Sequence, residues 1–275
     1  MKPHFPGWSA AVSLVGLAGQ TMRTVRALGL AGLAVALVPL LPASSISEGA
    51  PLFTRVNAPV SVPAEIADHV MFVSVMINDQ GPFRVMVDTG CSRSVVSPQL
   101  ADAVGALVAE NSFGLAVNGL GDPTEVQRVE LNSISLGGVR FEGVEAIVTN
   151  SFDGISALDG QRVDAILGYP LFRDVFLALN FSNHRLLLGS AWPANLPAIR
   201  ATLPVVEHAD VPYVQVQLQG KPLEVMIDTG ANQALQLTAG LAASFDWKTA
   251  PRAGPLVAVV GEIAREMIGR LSGNL

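Results

Sequence analysis

Two stretches of the chain alternate hydrophobic with polar or mobile positions at the period of a half-buried strand. They are Val73, Val75 and Ile77, and Val214, Val216 and Leu218. Each is followed by a short apolar run, Arg84-Val85-Met86-Val87 in the first and Glu224-Val225-Met226-Ile227 in the second. Both runs close on one tripeptide, Asp88-Thr89-Gly90 and Asp228-Thr229-Gly230. The tripeptides stand 140 residues apart, and Pro82-Phe83 and Pro222-Leu223 match at that offset. The alternating stretches match at 141, so one residue slips in the hairpin turn that joins stretch to run. A strand-to-turn element repeated in matched surroundings predicts two carboxylates facing each other.

The same patterning predicts further strands near 70–77, 83–87, 94–96, 115–118, 126–136, 140–148 and 163–167, then 175–181 and 185–188 joined through Ser182-Asn183. Helical periodicity is weak. It is confined to Pro98–Leu107, where Leu100, Ala103, Val104 and Leu107 fall three and four apart, and to its echo at Thr238–Phe245. Asn118-Gly119-Leu120-Gly121-Asp122-Pro123 has turn chemistry, and the stretch from Trp192-Pro193 to Pro204 reads as a linker.

Composition agrees with this picture. Half of the 275 residues are hydrophobic and 15% are charged, which excludes a disordered chain, and 26 Gly and 18 Pro among short apolar runs favour an all-β protein. Residues 1–43 carry Lys2, Arg23 and Arg26 with no Asp or Glu, and Arg26 precedes the apolar stretch Ala27–Leu41. The stretch is short for a membrane span and is followed by the small-residue site Ala43-Ser44-Ser45. It predicts an export signal, with a membrane anchor over 27–43 as the alternative and Met22 as a second possible start. An exported protein, periplasmic or secreted, is therefore expected. Without those three basic residues, 14 of the 17 Lys and Arg face 23 Asp and Glu, a formal net charge of −9, which argues against nucleic acid as a partner.

Paired carboxylates suit one chemistry in particular. One carboxylate takes a proton from water while a neighbouring carboxylic acid gives one to a carbonyl oxygen, and two carboxyls held together share a proton because they cannot both ionise comfortably. Asp88 and Asp228 are the candidate catalytic pair, supported by Thr89, Gly90, Thr229 and Gly230. The threonines supply hydroxyls for bonds to the facing loop, and the glycines allow φ > 0 and close approach. His4, His69, His184 and His208 are scattered and no cysteine pair exists, so neither a metal site nor a cofactor is expected. The one cysteine, Cys91, occupies the position that Ala231 holds after the second motif and reads as a packing residue.

Val-Met-Val-Asp-Thr-Gly and Val-Met-Ile-Asp-Thr-Gly resemble the active-site motif of the retropepsin-like and pepsin-like aspartic proteases. Ile166-Leu167-Gly168, 78 residues after Asp88, resembles the hydrophobic-hydrophobic-Gly segment that packs behind the catalytic loop in that family. The resemblance implies an all-β fold of acid-protease-like closed β-barrel lobes paired about a pseudo-two-fold axis. It also implies a flap over 118–123, a second flap tip at Val259-Val260-Gly261-Glu262, and a polypeptide substrate. The family usually has Ser or Ala where Cys91 stands, so a thiol there gives Asp88 a weaker outer hydrogen bond than a hydroxyl would. The expected organisation is a leader over 1–50, a first lobe over 51–192, a linker over 193–203 and a truncated second lobe over 204–275. The counterpart of Ile166-Leu167-Gly168 would fall near position 306, past Leu275, so the second lobe is expected to be a fragment or to have lost its back half. Two alternatives follow: a single-lobe protease active as a homodimer through two copies of Asp88, and a non-catalytic peptide-binding relic of the family.

Overall fold

The computed structural model describes residues 13–16, 51–54, 56, 58–117, 123–149, 160–191, 202–231, 235–237, 239–259 and 262–271. Its strands are β1 (Ser13–Gly16), β2 (Leu52–Phe53), β3 (Val60–Ala67), β4 (Val70–Ile77), β5 (Gln80–Asp88), β6 (Ser94–Val96), β7 (Leu107–Val117), β8 (Pro123–Leu136) and β9 (Val139–Val148). They continue as β10 (Ala165–Gly168), β11 (Phe176–Asn180), β12 (Arg185–Gly189), β13 (Val205–His208), β14 (Val211–Leu218), β15 (Lys221–Asp228), β16 (Leu235–Leu237), β17 (Trp247–Val259) and β18 (Glu262–Leu271). Two short helices, α1 (Pro98–Ala103) and α2 (Ala239–Ala242), complete the described elements.

The two motif hairpins are built alike. Ile77 pairs with Gln80 across Asn78 and Asp79, and Leu218 pairs with Lys221 across Gln219 and Gly220. All four turn residues have left-handed φ, as two-residue hairpins of this twist require. The extra residue of the first copy lies beside the turn rather than in it: Gly81, at φ 128°, follows Gln80, and the register shifts between Val75 and Ile77. The expected slip is therefore a bulge.

The larger sheet runs β11-β12-β3-β4-β5-β10-β6-β9-β8-β7, with β2 on β9. It curls until β4 meets β8, through Met76 opposite Ser135 and Ile77 opposite Ile134. Only those two pairs join the ring, so the expected closed barrel is closed at one end. Both faces are buried, as the continuous apolar runs require. Val73, Val75, Val85, Val87 and Leu167 enter one core, whereas Phe72, Met86 and Ile166 pack with Cys91, Val95 and Ile147 on the other side.

The second sheet runs β13-β14-β15-β1-β16 and repeats that alternation. Val225 packs with Val214, Leu218, Leu223 and Phe245, and Met226 packs on the opposite face with Val211 and Tyr213. The hairpin β17–β18 stands as a separate two-stranded sheet and brings Val259 opposite Glu262, the ends of the expected second flap tip. Val260 and Gly261 lie outside the described residues, as do 118–122 of the first flap, 150–159, 192–201 and 17–50.

One expected element is shorter than the periodicity suggested. Helix α1 starts where Ser97 accepts a hydrogen bond from the Leu100 amide at 3.1 Å, with Pro98 in the first turn, but it stops at Ala103. Gly105 turns left-handed at φ 62°, and Leu107 opens β7 instead of closing the helix. Strands β3 and β13 were not legible as separate elements in the apolar pattern. Among the described residues, no helix is long and apolar enough to cross a membrane.

Candidate active site

Asp88 ends β5 and Asp228 ends β15, so each carboxylate leaves the sheet where the chain begins to turn. The turn is fixed by the carboxylate itself. Gly90 N–H donates to Asp88 Oδ1 at 2.8 Å, and Gly230 N–H and Ala231 N–H donate to Asp228 Oδ1 at 2.9 and 3.1 Å. These are Asx-type turns, which aspartate forms readily because its short side chain reaches its own backbone two residues on.

The threonines lock the two turns together across 140 residues of sequence. Thr89 N–H donates to Thr229 Oγ1 at 3.0 Å, and Thr229 N–H donates to Thr89 Oγ1 at 3.1 Å. Each hydroxyl then donates to the carbonyl preceding the opposite aspartate: Thr89 to Ile227 at 2.6 Å, and Thr229 to Val87 at 2.9 Å. Every donor and acceptor of this buried crossing is used, and a two-fold relation between the turns is built into it. Replacing Thr229 with valine would leave the Thr89 amide and the Val87 carbonyl without these partners. At about 1–3 kcal/mol for each buried unsatisfied group, the variant should unfold at a denaturant midpoint corresponding to about 2–5 kcal/mol lower stability.

Gly90 and Gly230 are needed for a different reason from the one their position suggested. Neither has positive φ. A methyl on Gly90 would stand 2.6 Å from Asp228 Cγ, and one on Gly230 would overlap the Asp88 carboxyl. Each glycine makes room for the opposite carboxylate.

Asp88 and Asp228 are 0% and 1% exposed and hydrogen-bond each other. Burial pushes the Asp228 carboxyl well above the usual carboxylate range, and the facing Asp88 charge pushes it further. Burial also raises Asp88, but bonds from Asp228, from the Cys91 thiol and from the Gly90 amide oppose the rise. The pair therefore holds one proton on Asp228 and one charge on Asp88. The Cys91 thiol lies 3.1 Å from Asp88 Oδ2, whereas Ala231 offers Asp228 only its amide. Cys91 thus does more than pack.

Ile166-Leu167-Gly168 lies behind the first turn, as expected. Strand β10 runs parallel to β5 with Leu167 beside Val87 and Gly168 beside Asp88, and Tyr169 N–H donates to Cys91 C=O at 2.9 Å. A side chain at 168 would meet the Arg93 backbone at 2.5 Å, which is why glycine ends the strand.

A charged clamp between the lobes was not foreseen. Arg93 and Arg173 donate to the two oxygens of Asp210, each at 2.6 Å. Arg173 also faces Glu207 at 2.9 Å, and the Tyr169 hydroxyl donates to Glu207 at 2.8 Å. No sequence spacing links these residues; only the β13–β14 hairpin brings Glu207 and Asp210 to the first lobe. Burial opposes ionisation of Asp210, but Arg93 and Arg173 outweigh it and hold the carboxyl below its usual range. A depressed carboxylate contributes stability that is present above its unfolded value and lost as pH falls through its folded one. The side chain is 39% exposed, so solvent weakens the effect. Asp210→Ala should cost about 1–2 kcal/mol at neutral pH, read by thermal unfolding, and the deficit should narrow below the ordinary carboxylate range.

Among the described residues, no group of three or more His, Cys, Asp and Glu is placed to hold a metal ion.

Residues 73–171 match the model of the aspartyl protease family. The fold is similar to a retropepsin-like aspartic protease from Rickettsia conorii, at 16% identity and a TM-score of 0.35, over 50% of this chain and 93% of that one. It is also similar to Basic 7S globulin from soybean, at 14% identity and a TM-score of 0.25, over 49% of this chain and 43% of that one. No curated protein matches the sequence.

Proposed function

We propose, from the aspartyl protease family match of the first lobe and the joined carboxyls of Asp88 and Asp228, that this chain hydrolyses peptide bonds with a water molecule as nucleophile. The observation that carries the proposal is the reciprocal threonine crossing, which holds two buried carboxyls in mutual hydrogen-bond contact. Asp88, the charged member, takes a proton from water as its oxygen attacks the scissile carbonyl carbon. Asp228, the protonated member, gives its proton to the carbonyl oxygen, so a neutral tetrahedral diol forms without charge build-up. Collapse returns a proton from Asp88 to the leaving nitrogen, breaks the carbon–nitrogen bond, and hands the diol proton back to Asp228. The substrate is an extended polypeptide, bound by strand-like main-chain hydrogen bonds. The basic-then-apolar N-terminal stretch favours action outside the cytosol.

Hydrolysis of a denatured protein in ¹⁸O-labelled water tests the chemistry. Each new carboxyl terminus should carry one label after a single turnover. Products formed only through a covalent acyl-enzyme, or no cleavage at any pH, would count against the proposal.

Cys91 should set the acidic limb of the pH profile. Its thiol favours the charged form of Asp88, and a hydroxyl is the stronger donor. Cys91→Ser should therefore move the acidic limb of kcat/KM to lower pH, and Cys91→Ala should move it to higher pH. Overlapping profiles would remove Cys91 from this role.

A further inference from the structure

In the first lobe, β10 lies between β5 and β6, parallel to the former and antiparallel to the latter, and supplies the central strand behind Asp88. The equivalent place in the second lobe lies between β15, which carries Asp228, and β16. No later part of the described chain fills it. The two hydrophobic-hydrophobic-Gly triplets after Asp228, Val259-Val260-Gly261 and Met267-Ile268-Gly269, fall in the β17–β18 hairpin, where Val259 pairs with Glu262 and Ile268 with Arg252. The place is taken instead by β1, whose sequence Ser13-Leu14-Val15-Gly16 also ends in two hydrophobics and a glycine.

Strand β1 enters in the opposite direction. It pairs antiparallel with β15, Ser13 opposite Asp228, Leu14 opposite Ile227, Val15 opposite Met226 and Gly16 opposite Val225. It pairs parallel with β16, Leu14 opposite Leu235, Val15 opposite Gln236 and Gly16 opposite Leu237. A reversed strand can serve because main-chain hydrogen bonding accepts either direction, so the sheet is completed by an available extended segment rather than by a fixed topology.

We infer that the slot between 221–228 and 235–237 is a strand acceptor, and that the N-terminal residues 13–16 occupy it to complete the second lobe and brace the Asp228 turn. The brace acts at a defined point: Ile227, opposite Leu14, is the residue whose carbonyl accepts the Thr89 hydroxyl. A middle strand uses its amides and carbonyls on both sides, so filling the slot removes two exposed edges at once. The same segment lies upstream of the export signal expected from the sequence, so cleavage after Ala43 would release the strand and open the slot. Seating and release would then couple N-terminal processing to the rigidity of the turn that carries Asp228. This inference concerns sheet completion and does not require that the dyad be active.

Hydrogen exchange on the full chain tests it. Val15→Pro removes a main-chain donor from a strand that is paired on both sides. Amides of 225–228 and 235–237 should exchange roughly ten-fold faster or more in that variant, while those of 85–88 and 165–168 keep their protection. Equal exchange at 225–228 and 235–237 in variant and parent would overturn the inference. A second measurement covers the case in which the proline variant loses the whole lobe. The double variant Val15→Cys/Met226→Cys should form an intrachain disulfide under mild oxidation, detected by peptide mapping, and the out-of-register Val15→Cys/Leu223→Cys should not. Failure of the first pair to cross-link would also overturn it.

Discussion

Asp88→Asn is expected to lower peptide-bond turnover about 10³-fold or more with little change in KM, because it removes the group that accepts the proton of the attacking water. The loss belongs to chemistry rather than folding. Asparagine keeps the shape of the side chain and an oxygen for the Gly90 amide, which now donates at 2.8 Å. Stability should change with the opposite sign. Both carboxyls are raised by burial, so their contribution is full below the ordinary carboxylate range and is lost as pH rises through the folded values. Removing one ionisable member should make that loss shallower. The melting temperature of Asp88→Asn should therefore match or exceed that of the parent at neutral pH and fall behind it only in acid. Full turnover in this variant would take Asp88 out of the reaction.

Gly90→Ala is expected to cost about 100-fold in turnover despite adding a single methyl. The new carbon would stand 2.6 Å from Asp228 Cγ and 2.8 and 2.9 Å from its two oxygens, well inside van der Waals contact. Two relaxations are open: the Asp228 carboxyl moves off its bonds from Gly230 and Ala231, or the first turn moves off the threonine crossing. Either displaces one carboxyl from the other by a substantial part of an ångström, a shift of the size that costs about 10² in rate. Overpacking should also lower stability by about 1–3 kcal/mol. Gly240→Ala on α2 is the control, since a methyl there meets nothing within 4 Å, and it should leave both turnover and melting temperature unchanged. Parent-like kinetics in Gly90→Ala would show that the turns are not held as tightly as their geometry requires.

The parts of the structure that were legible in the sequence are those that repeat. The motif hairpins, the carboxylate pair and Ile166-Leu167-Gly168 rest on strand alternation and turn chemistry, local properties that the sequence writes twice. The threonine crossing could be anticipated from residue type, since a hydroxyl beside each aspartate has few other uses in a buried turn. The role of Gly90 and Gly230 was assigned to φ, which a single residue decides, but it depends on a carboxylate 140 residues away. Arg93, Arg173, Glu207 and Asp210 were invisible for a related reason: exposed charges have no periodicity, and their pairing follows from how two lobes dock. Helix α1 was overextended because Leu107 satisfies the helical spacing while Gly105 breaks the backbone before it is reached. Strand β1 reads as part of a basic and apolar leader, and its pairing is decided by an opening in a sheet more than 200 residues further on.

The shared dyad is tested most directly by the turnover of the full chain carrying Asp228→Asn, measured on a denatured protein across pH together with the mass of the active species. If Asp88 and Asp228 of one chain hold the proton between them, the variant should lose about 10³-fold or more in turnover at every pH, and the active parent should sediment as a monomer. Parent-level turnover in the variant, carried by a dimer, would mean that two copies of Asp88 do the work and that Asp228 has no part in it.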